Sequence, residues 1–266
     1  MTYTLNGIPA DNPDLGWYLT YDSQFVYSTT ITRPEVLVPG YDGAIEMDGV
    51  ENVPGVTLVW SINESQLPGL RNVLRSESLI LGKGQGTASV SLRSFEPTKV
   101  GMGANPEYEV RAELVISGVW LRGAETSETT TIASNTQTVN VLTGSDGKVS
   151  DGALVLHGPF AAGVRVQDVA GLSWIRYTSA VPVDASIRYE LATGRAFQVA
   201  DGGNAFTGGT EVTPSLETGP DIFYLRLTPV ISAANPLVAQ PKLRVTSMGR
   251  GESSALTLRA RPAYVL

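Results

Sequence analysis

The amino-acid sequence predicts an all-β protein of two β-sandwich domains, the first carrying one short helix, and three observations carry that expectation. Gly and Pro, 28 and 16 of 266 residues, punctuate stretches rich in Val, Thr, Leu and Ser. Charged residues make up 17% of the chain, against about 25% in ordinary soluble domains. Apolar residues alternate with polar ones at period two along most of the chain, the signature of strands with one face in a core. A chain of this length can bury two such cores.

Taken in order, Val56-Thr57-Leu58-Val59-Trp60 reads as a strand buried on both faces. One segment departs from period two. Between Asn63 and Ser76, Leu67, Leu70 and Leu74 fall at spacings of three and four, which predicts a helix at about residues 64–75. Pro68 fits it only in the first turn, where a missing N–H leaves no bond unmade. Thr87 to Arg93 alternates again, and from Tyr108 towards Trp120 the residues Tyr108, Val110, Ala112, Leu114 and Ile116 share one face. Thr126 to Ile132 is a polar Ser/Thr-rich stretch, a surface loop or an exposed strand edge.

The polar, glycine-rich run from Leu142 to Gly152 sets a linker at about residues 143–152, dividing the chain into domains 1–147 and 148–266. In the second domain, Leu154-Val155-Leu156, Ser173 to Tyr177, Ser186 to Leu191, Ala196 to Val199, Ile222 to Val230, Pro241 to Ser247 and Ala255 to Ala260 are the expected strands. Thr193-Gly194 forms a hairpin turn between the third and fourth of them. About seven short strands close naturally as a sandwich.

Composition excludes several function classes. There is no cysteine, hence no disulfide framework and no thiol chemistry. Met1 to Asn6 shows no basic segment leading into an apolar run, and no stretch of 18 apolar residues occurs, so neither an export signal nor a membrane span is expected. The net charge is −7 and its distribution is uneven: residues 1–64 hold nine acids against the single base Arg33, while the remainder holds 18 bases and 17 acids.

Catalytic patterns are absent or better explained as structure. His157 is the only histidine and sits where a strand enters a turn. No Gly-x-Ser-x-Gly elbow occurs. Gly82-Lys83-Gly84-Gln85-Gly86-Thr87 lacks the lysine after its last glycine that a phosphate-binding loop needs, and reads as a connection between strands. Ser145-Asp146-Gly147 and Asp201-Gly202-Gly203-Asn204 lack the downstream glutamate of a calcium loop. The carboxylate pairs Glu46 with Asp48 and Glu107 with Glu109 read as solvated strand faces. No catalytic residue, metal site or cofactor is expected.

A set of short motifs in a fixed order adds a further reading. Gly16-Trp17 is followed by Pro39-Gly40-Tyr41-Asp42-Gly43, where glycines and an aspartate suit a tight turn. Leu154-Val155-Leu156, Gly158-Pro159, Asp168, Gly171 and Trp174 then follow, and Leu256 to Tyr264 forms an apolar closing strand. Across nearly the whole chain this order resembles the distal tail proteins of long-tailed bacteriophages. The resemblance implies a first domain that is tail-tube-like and ring-forming, in which Gln24 to Thr32 and Pro34 to Val38 pair, and a second that is galectin-like. Galectins bind sugar through a His-x-Asn-Pro-Arg strand and a tryptophan, whereas here only His157-Gly158-Pro159 is present, so sugar binding is not carried over.

The resemblance implies a structural virion protein with no enzymatic activity. It would form a ring, commonly a homohexamer, in the distal tail or baseplate hub, joining the tail tube to the tail tip and forming part of the DNA channel. Its expected partners are its own copies, the tail-tube protein and tail-tip or baseplate proteins. It would be made in the host cytoplasm and end at the distal end of the virion tail, away from any membrane. Like charge along a channel wall lets DNA pass without adhering, which makes Asp42, Glu46, Asp48 and Glu51 candidate lumen residues. The alternative is a carbohydrate-binding or adhesion module acting in host recognition, with Trp174, Tyr177 and Tyr189 as stacking residues.

Overall fold

The computed structural model describes residues 3–23, 31–32, 35–37, 44–46, 50–51, 55–103, 105–117, 121–171, 173–200, 205–219, 224–232, 235 and 238–264, with residues 31–51 known through backbone pairing alone. Among the described residues the protein is β-rich with one α-helix, as the periodicity predicts. It divides into two compact units, Met1–Leu121 with Val265–Leu266, and Arg122–Tyr264.

The first unit is built on an antiparallel sheet. Its strands are β1 (Tyr3–Leu5), β2 (Tyr18–Leu19), β3 (Gly55–Asn63), β4 (Leu79–Lys83), β5 (Gly86–Lys99) and β6 (Glu107–Ile116), in the spatial order β1-β4-β5-β6-β3-β2, with Ile8–Pro9 on the outer edge of β1. In β6 the alternation holds, with Val110, Ala112, Leu114 and Ile116 each at most 1% exposed. The predicted helix is α1 (Leu67–Leu74), entered through a 3-10 turn at Glu64–Gln66, with Pro68 in its first turn and Leu70 and Leu74 buried. Lys83 pairs with Gly86, so Gly84-Gln85 is the loop of a tight hairpin, with Gly84 at φ +58°.

The expected pairing of Gln24 to Thr32 with Pro34 to Val38 is corrected for its described residues, with residues 24–30, Pro34 and Val38 lying outside them. Ile31–Thr32 pairs with Val50–Glu51, and Glu35–Leu37 with Ala44–Glu46, two nested antiparallel ladders.

The second unit holds two six-stranded antiparallel sheets. Its strands are β7 (Thr126–Thr131), β8 (Thr136–Asn140), β9 (Ala153–His157), β10 (Val164–Asp168), β11 (Trp174–Tyr177), β12 (Ala185–Glu190), β13 (Ala196–Ala200), β14 (Leu216–Thr218), β15 (Ala239–Ser247) and β16 (Ala255–Ala260). One sheet runs β7-β16-β9-β12-β13 and ends on Thr210–Glu211. The other runs β8-β15-β10-β11-β14, with Pro229–Ile231 beside β15. Leu154, Leu156, Ile187, Tyr189 and Leu258 from the first face the core, as do Val166, Ile175, Tyr177, Leu243 and Val245 from the second, all at most 4% exposed.

Two sequence expectations change here. The unit boundary falls between Leu121 and Arg122 rather than at 147/148, because β7 and β8 pair with β16 and β15 from the far end of the chain. The glycine-rich run is an internal loop of this unit, where buried Ser145 Oγ donates to the Ala263 carbonyl at 3.0 Å and accepts the Ala263 amide at 2.9 Å. The expected strand Ile222 to Val230 is confined, among the described residues, to Pro229–Ile231. Leu225 and Leu227 are buried as a strand would bury them. The amides of Leu225, Arg226 and Thr228 instead donate to Tyr189 Oη, Ser173 Oγ and Asp168 Oδ2 at 3.2, 3.1 and 3.2 Å. Leu227 between them exchanges both backbone hydrogen bonds with Val149, at 2.8 and 3.0 Å, so a single bridge is flanked by amides that side chains satisfy.

Candidate functional site

In the first unit Gly16-Trp17 is an anchor. Asn12 caps the 3-10 turn Pro13–Leu15 through its side chain, and Gly16 closes it in the left-handed region at φ +69°. A side chain at Gly16 would be strained there and would meet Gln66 at 3.0 Å. Trp17 then exchanges both backbone hydrogen bonds with Asn12, at 2.8 and 2.9 Å, and is 3% exposed, its ring near Gly69 of α1. The motif therefore ties the N-terminal turn to the helix.

Beside α1 lies a groove of about 610 Å³, lined by Arg71, Arg75, Glu77, Leu92, Arg93 and Phe95 among others. Arg71, Arg75 and Arg93 are exposed and have no ion pair among the described residues. Sequence reading missed this cluster because its members are about 20 residues apart and come together only where α1 lies along β5.

Of the candidate lumen acids, Asp42 and Asp48 lie outside the described residues, as do Pro39, Gly40 and Gly43. Glu46 and Glu51 end the strands Ala44–Glu46 and Val50–Glu51, and the register sets Glu46 opposite Glu35. Like charges directly opposite in a ladder are unfavourable without a cation nearby.

In the second unit the Gly158-Pro159 motif is a packing device. A side chain at Gly158 would overlap the Pro182 carbonyl. Pro159 O accepts from Ser254 Oγ at 2.6 Å and from the Gly251 amide at 3.1 Å, and Phe160, fully buried, pairs with Val181. Asp168, Gly171 and Trp174 form a turn. Asp168 is fully buried and its Oδ2 accepts the Gly171 and Thr228 amides at 2.9 and 3.2 Å, while burial pushes its carboxyl pKa up against those bonds. Trp174 packs outside the sandwich under the Arg165 guanidinium, 4.3 Å from the ring centre. Tyr177 and Tyr189, expected as stacking residues, are 4% and 0% exposed and fill the core.

His157 lies on the outer face of the first sheet. Its Nδ1 is 2.9 Å from Ser186 Oγ and its Nε2 2.9 Å from Thr257 Oγ1, so both ring nitrogens meet hydroxyl groups. No group of three or more His, Asp or Glu able to hold a metal is found among the described residues. No helix among them is long and apolar enough to cross a membrane.

No family model matches this sequence, and no curated protein matches it. The SPP1 Dit (gp 19.1) protein, described as a paradigm of the hub adsorption apparatus in phages infecting Gram-positive bacteria, superposes over 98% of both chains with a TM-score of 0.55 at 12% identity. This chain has the Dit fold. Chains of the phage P2 baseplate, in activated conformations with Ca and with Sr, align over 99% of both chains with a TM-score of 0.38 at 12% identity. The match to the SPP1 Dit protein covers both units. Of the motif residues that suggested it, Gly16, Trp17, Gly158 and Pro159 are tightly packed, Trp174 lies outside the sandwich, and Pro39, Gly40, Asp42 and Gly43 lie outside the described residues.

Proposed function

We propose that the chain is a structural component of a phage tail, a distal tail or baseplate hub protein that closes into a ring between the tail tube and the tail tip. The observation that carries this reading is the Dit fold over the full length of both units. It is supported by the packing of the described motif residues, which build the scaffold and assemble no reaction centre. The ring is assigned to the first unit and is a homohexamer. Its contacts are heterologous, each subunit offering two different surfaces, as a closed rotation requires.

Charge supplies a candidate for those two surfaces. The acidic segment containing Glu35, Glu46 and Glu51 is one, and the groove with Arg71, Arg75 and Arg93 is the other. Of the four lumen candidates, Asp42 and Asp48 are kept as channel-lining residues, where like charge keeps passing DNA from adhering. Light scattering across a concentration series tests the ring: six copies of 28.2 kDa give about 169 kDa. A mass that stays at one copy, both alone and mixed with the tail-tube protein, overturns the reading.

A further inference from the structure

The outer face of the first sheet in the second unit is not an ordinary solvated face. Val155, Thr257 and Ser186 point away from the core, yet they are 0%, 6% and 3% exposed. Residues 205–209 lie beside this face: the Arg259 guanidinium, also on it, is 5.0 Å from the Phe206 ring centre, and a Cβ at Gly209, at φ +96°, would meet Gln198 O at 2.7 Å and Val199 Cγ2 at 2.9 Å. The same segment brings in Phe206, and beside it a concavity of about 520 Å³ remains, lined by Thr129, His157, Ser186, Phe206, Ser253 and Thr257 among others.

Its floor is a continuous hydrogen-bonded row drawn from four adjacent strands. Thr129 Oγ1 lies 2.8 Å from Thr257 Oγ1, Thr257 Oγ1 lies 2.9 Å from His157 Nε2, and His157 Nδ1 lies 2.9 Å from Ser186 Oγ. Each hydroxyl has one donor and two acceptor positions, and a neutral imidazole donates at one nitrogen and accepts at the other. The row can therefore run in either direction and present donors or acceptors at its ends, with each bond polarising the next. Among the described residues, no Asp, Glu, Lys or Arg lines the concavity. That composition disfavours an ionic ligand, whose charge would lose water without gaining a partner.

We propose that this concavity binds a neutral polyhydroxylated ring, a hexopyranose unit of a glycan, with the Thr129-Thr257-His157-Ser186 row meeting its hydroxyls and Phe206 packing on its C–H face. A sugar hydroxyl is both donor and acceptor, which is the pattern the row offers, and the volume falls within the range of small-ligand sites, roughly 300–1,000 Å³. Phe206 supplies the apolar wall that such a site needs beside its few polar groups. The site is on the opposite sheet from Trp174 and uses neither core tyrosine. It is independent of ring formation, so its failure leaves the tail-ring reading standing.

The chain has one histidine, so its imidazole C–H resonance reports on this site alone in full-length protein carrying isotope-labelled histidine. The probes are the methyl pyranosides of glucose and galactose and methyl N-acetylglucosaminide, with glycerol as the acyclic control. At least one sugar is expected to give a saturable shift with a dissociation constant on the order of 1 mM, and glycerol none. Phe206→Ala and Thr129→Val, both at the margin of the site, are each expected to weaken binding about tenfold while the denaturant unfolding midpoint of each stays near that of the parent as the sign of an intact fold. Shifts that rise linearly for every sugar, or a binding curve that both variants leave unchanged, overturn the proposal.

Discussion

At the scale of single residues, the side chains with the most consequence are those that end up buried without being apolar. Asp168 is the clearest. Its carboxylate holds the Gly171 and Thr228 amides and so joins the turn before β11 to the segment before Pro229. Asp168→Ala strands both amides and is expected to cost about 3 kcal/mol of unfolding free energy, whereas Asp168→Asn keeps an acceptor and is expected to stay within about 1 kcal/mol of the parent. Burial raises the carboxyl pKa above its unfolded value, so the folded state retains the proton to higher pH. The contribution of this group is therefore full below the ordinary aspartate value and is lost as pH rises through the folded value. Denaturant unfolding at several pH values should show Asp168→Asn gaining on the parent from mildly acidic to neutral pH. Arg188 makes the same point with the opposite charge: 4% exposed, it lies 4.6 Å from the Phe197 ring centre and 3.6 Å from Glu190, with Nε and Nη1 unbonded among the described residues. Sequence gave no sign of either burial, because Asp and Arg in a β-rich sequence read as solvent-facing residues.

At the scale of elements, α1 and β7 show what local pattern can and cannot specify. The helix was legible because three leucines at spacings of three and four leave one apolar stripe, and a proline at its start tolerates no other register. Leu70 is fully buried, so Leu70→Ala is expected to destabilise the first unit by about 3 kcal/mol, against less than about 0.5 kcal/mol for Asn72→Ala on the exposed side. Thermal or denaturant melting of the two variants measures the contrast. β7 had no apolar stripe to read. Its Thr and Ser side chains leave it exposed at the sheet edge, and its place is set by the β16 ladder, with Thr126 opposite Ala260 and Thr131 opposite Ala255. Such an edge is kept from wider pairing by polar side chains rather than by a covering strand.

At the scale of the whole molecule, the uneven charge is the feature with a measurable outcome. With the acidic excess in the first 64 residues and Arg71, Arg75 and Arg93 gathered in one groove, the proposed ring contact is electrostatic at its centre. The Debye length falls from about 10 Å at 0.1 M salt to about 3 Å at 1 M, so the 169 kDa species of about six 28.2 kDa copies should shift towards the single chain as salt rises. Arg71→Glu with Arg75→Glu should do the same at low salt while leaving the unfolding midpoint near that of the parent, since both side chains are exposed. Sedimentation velocity distinguishes the outcomes. A ring that persists unchanged in the double variant places the contact elsewhere on the first unit.

The amino-acid sequence alone determined the all-β class, the helix, the strands β3, β5 and β6 of the first unit and β9, β11, β12, β13, β15 and β16 of the second, and the ordered motifs that point to the Dit fold. It could do so because each rests on local chemistry: alternation along a strand, a stripe on a helix, glycine where φ is positive, as at Gly16. Only the tertiary structure decided where one unit ends and the next begins, since β7 and β8 take their partners more than 100 residues away. It alone gathered Thr129, His157, Ser186 and Thr257 into one row. Pairing between distant strands depends on which edges remain free once the core has closed, and no periodicity along the chain records that.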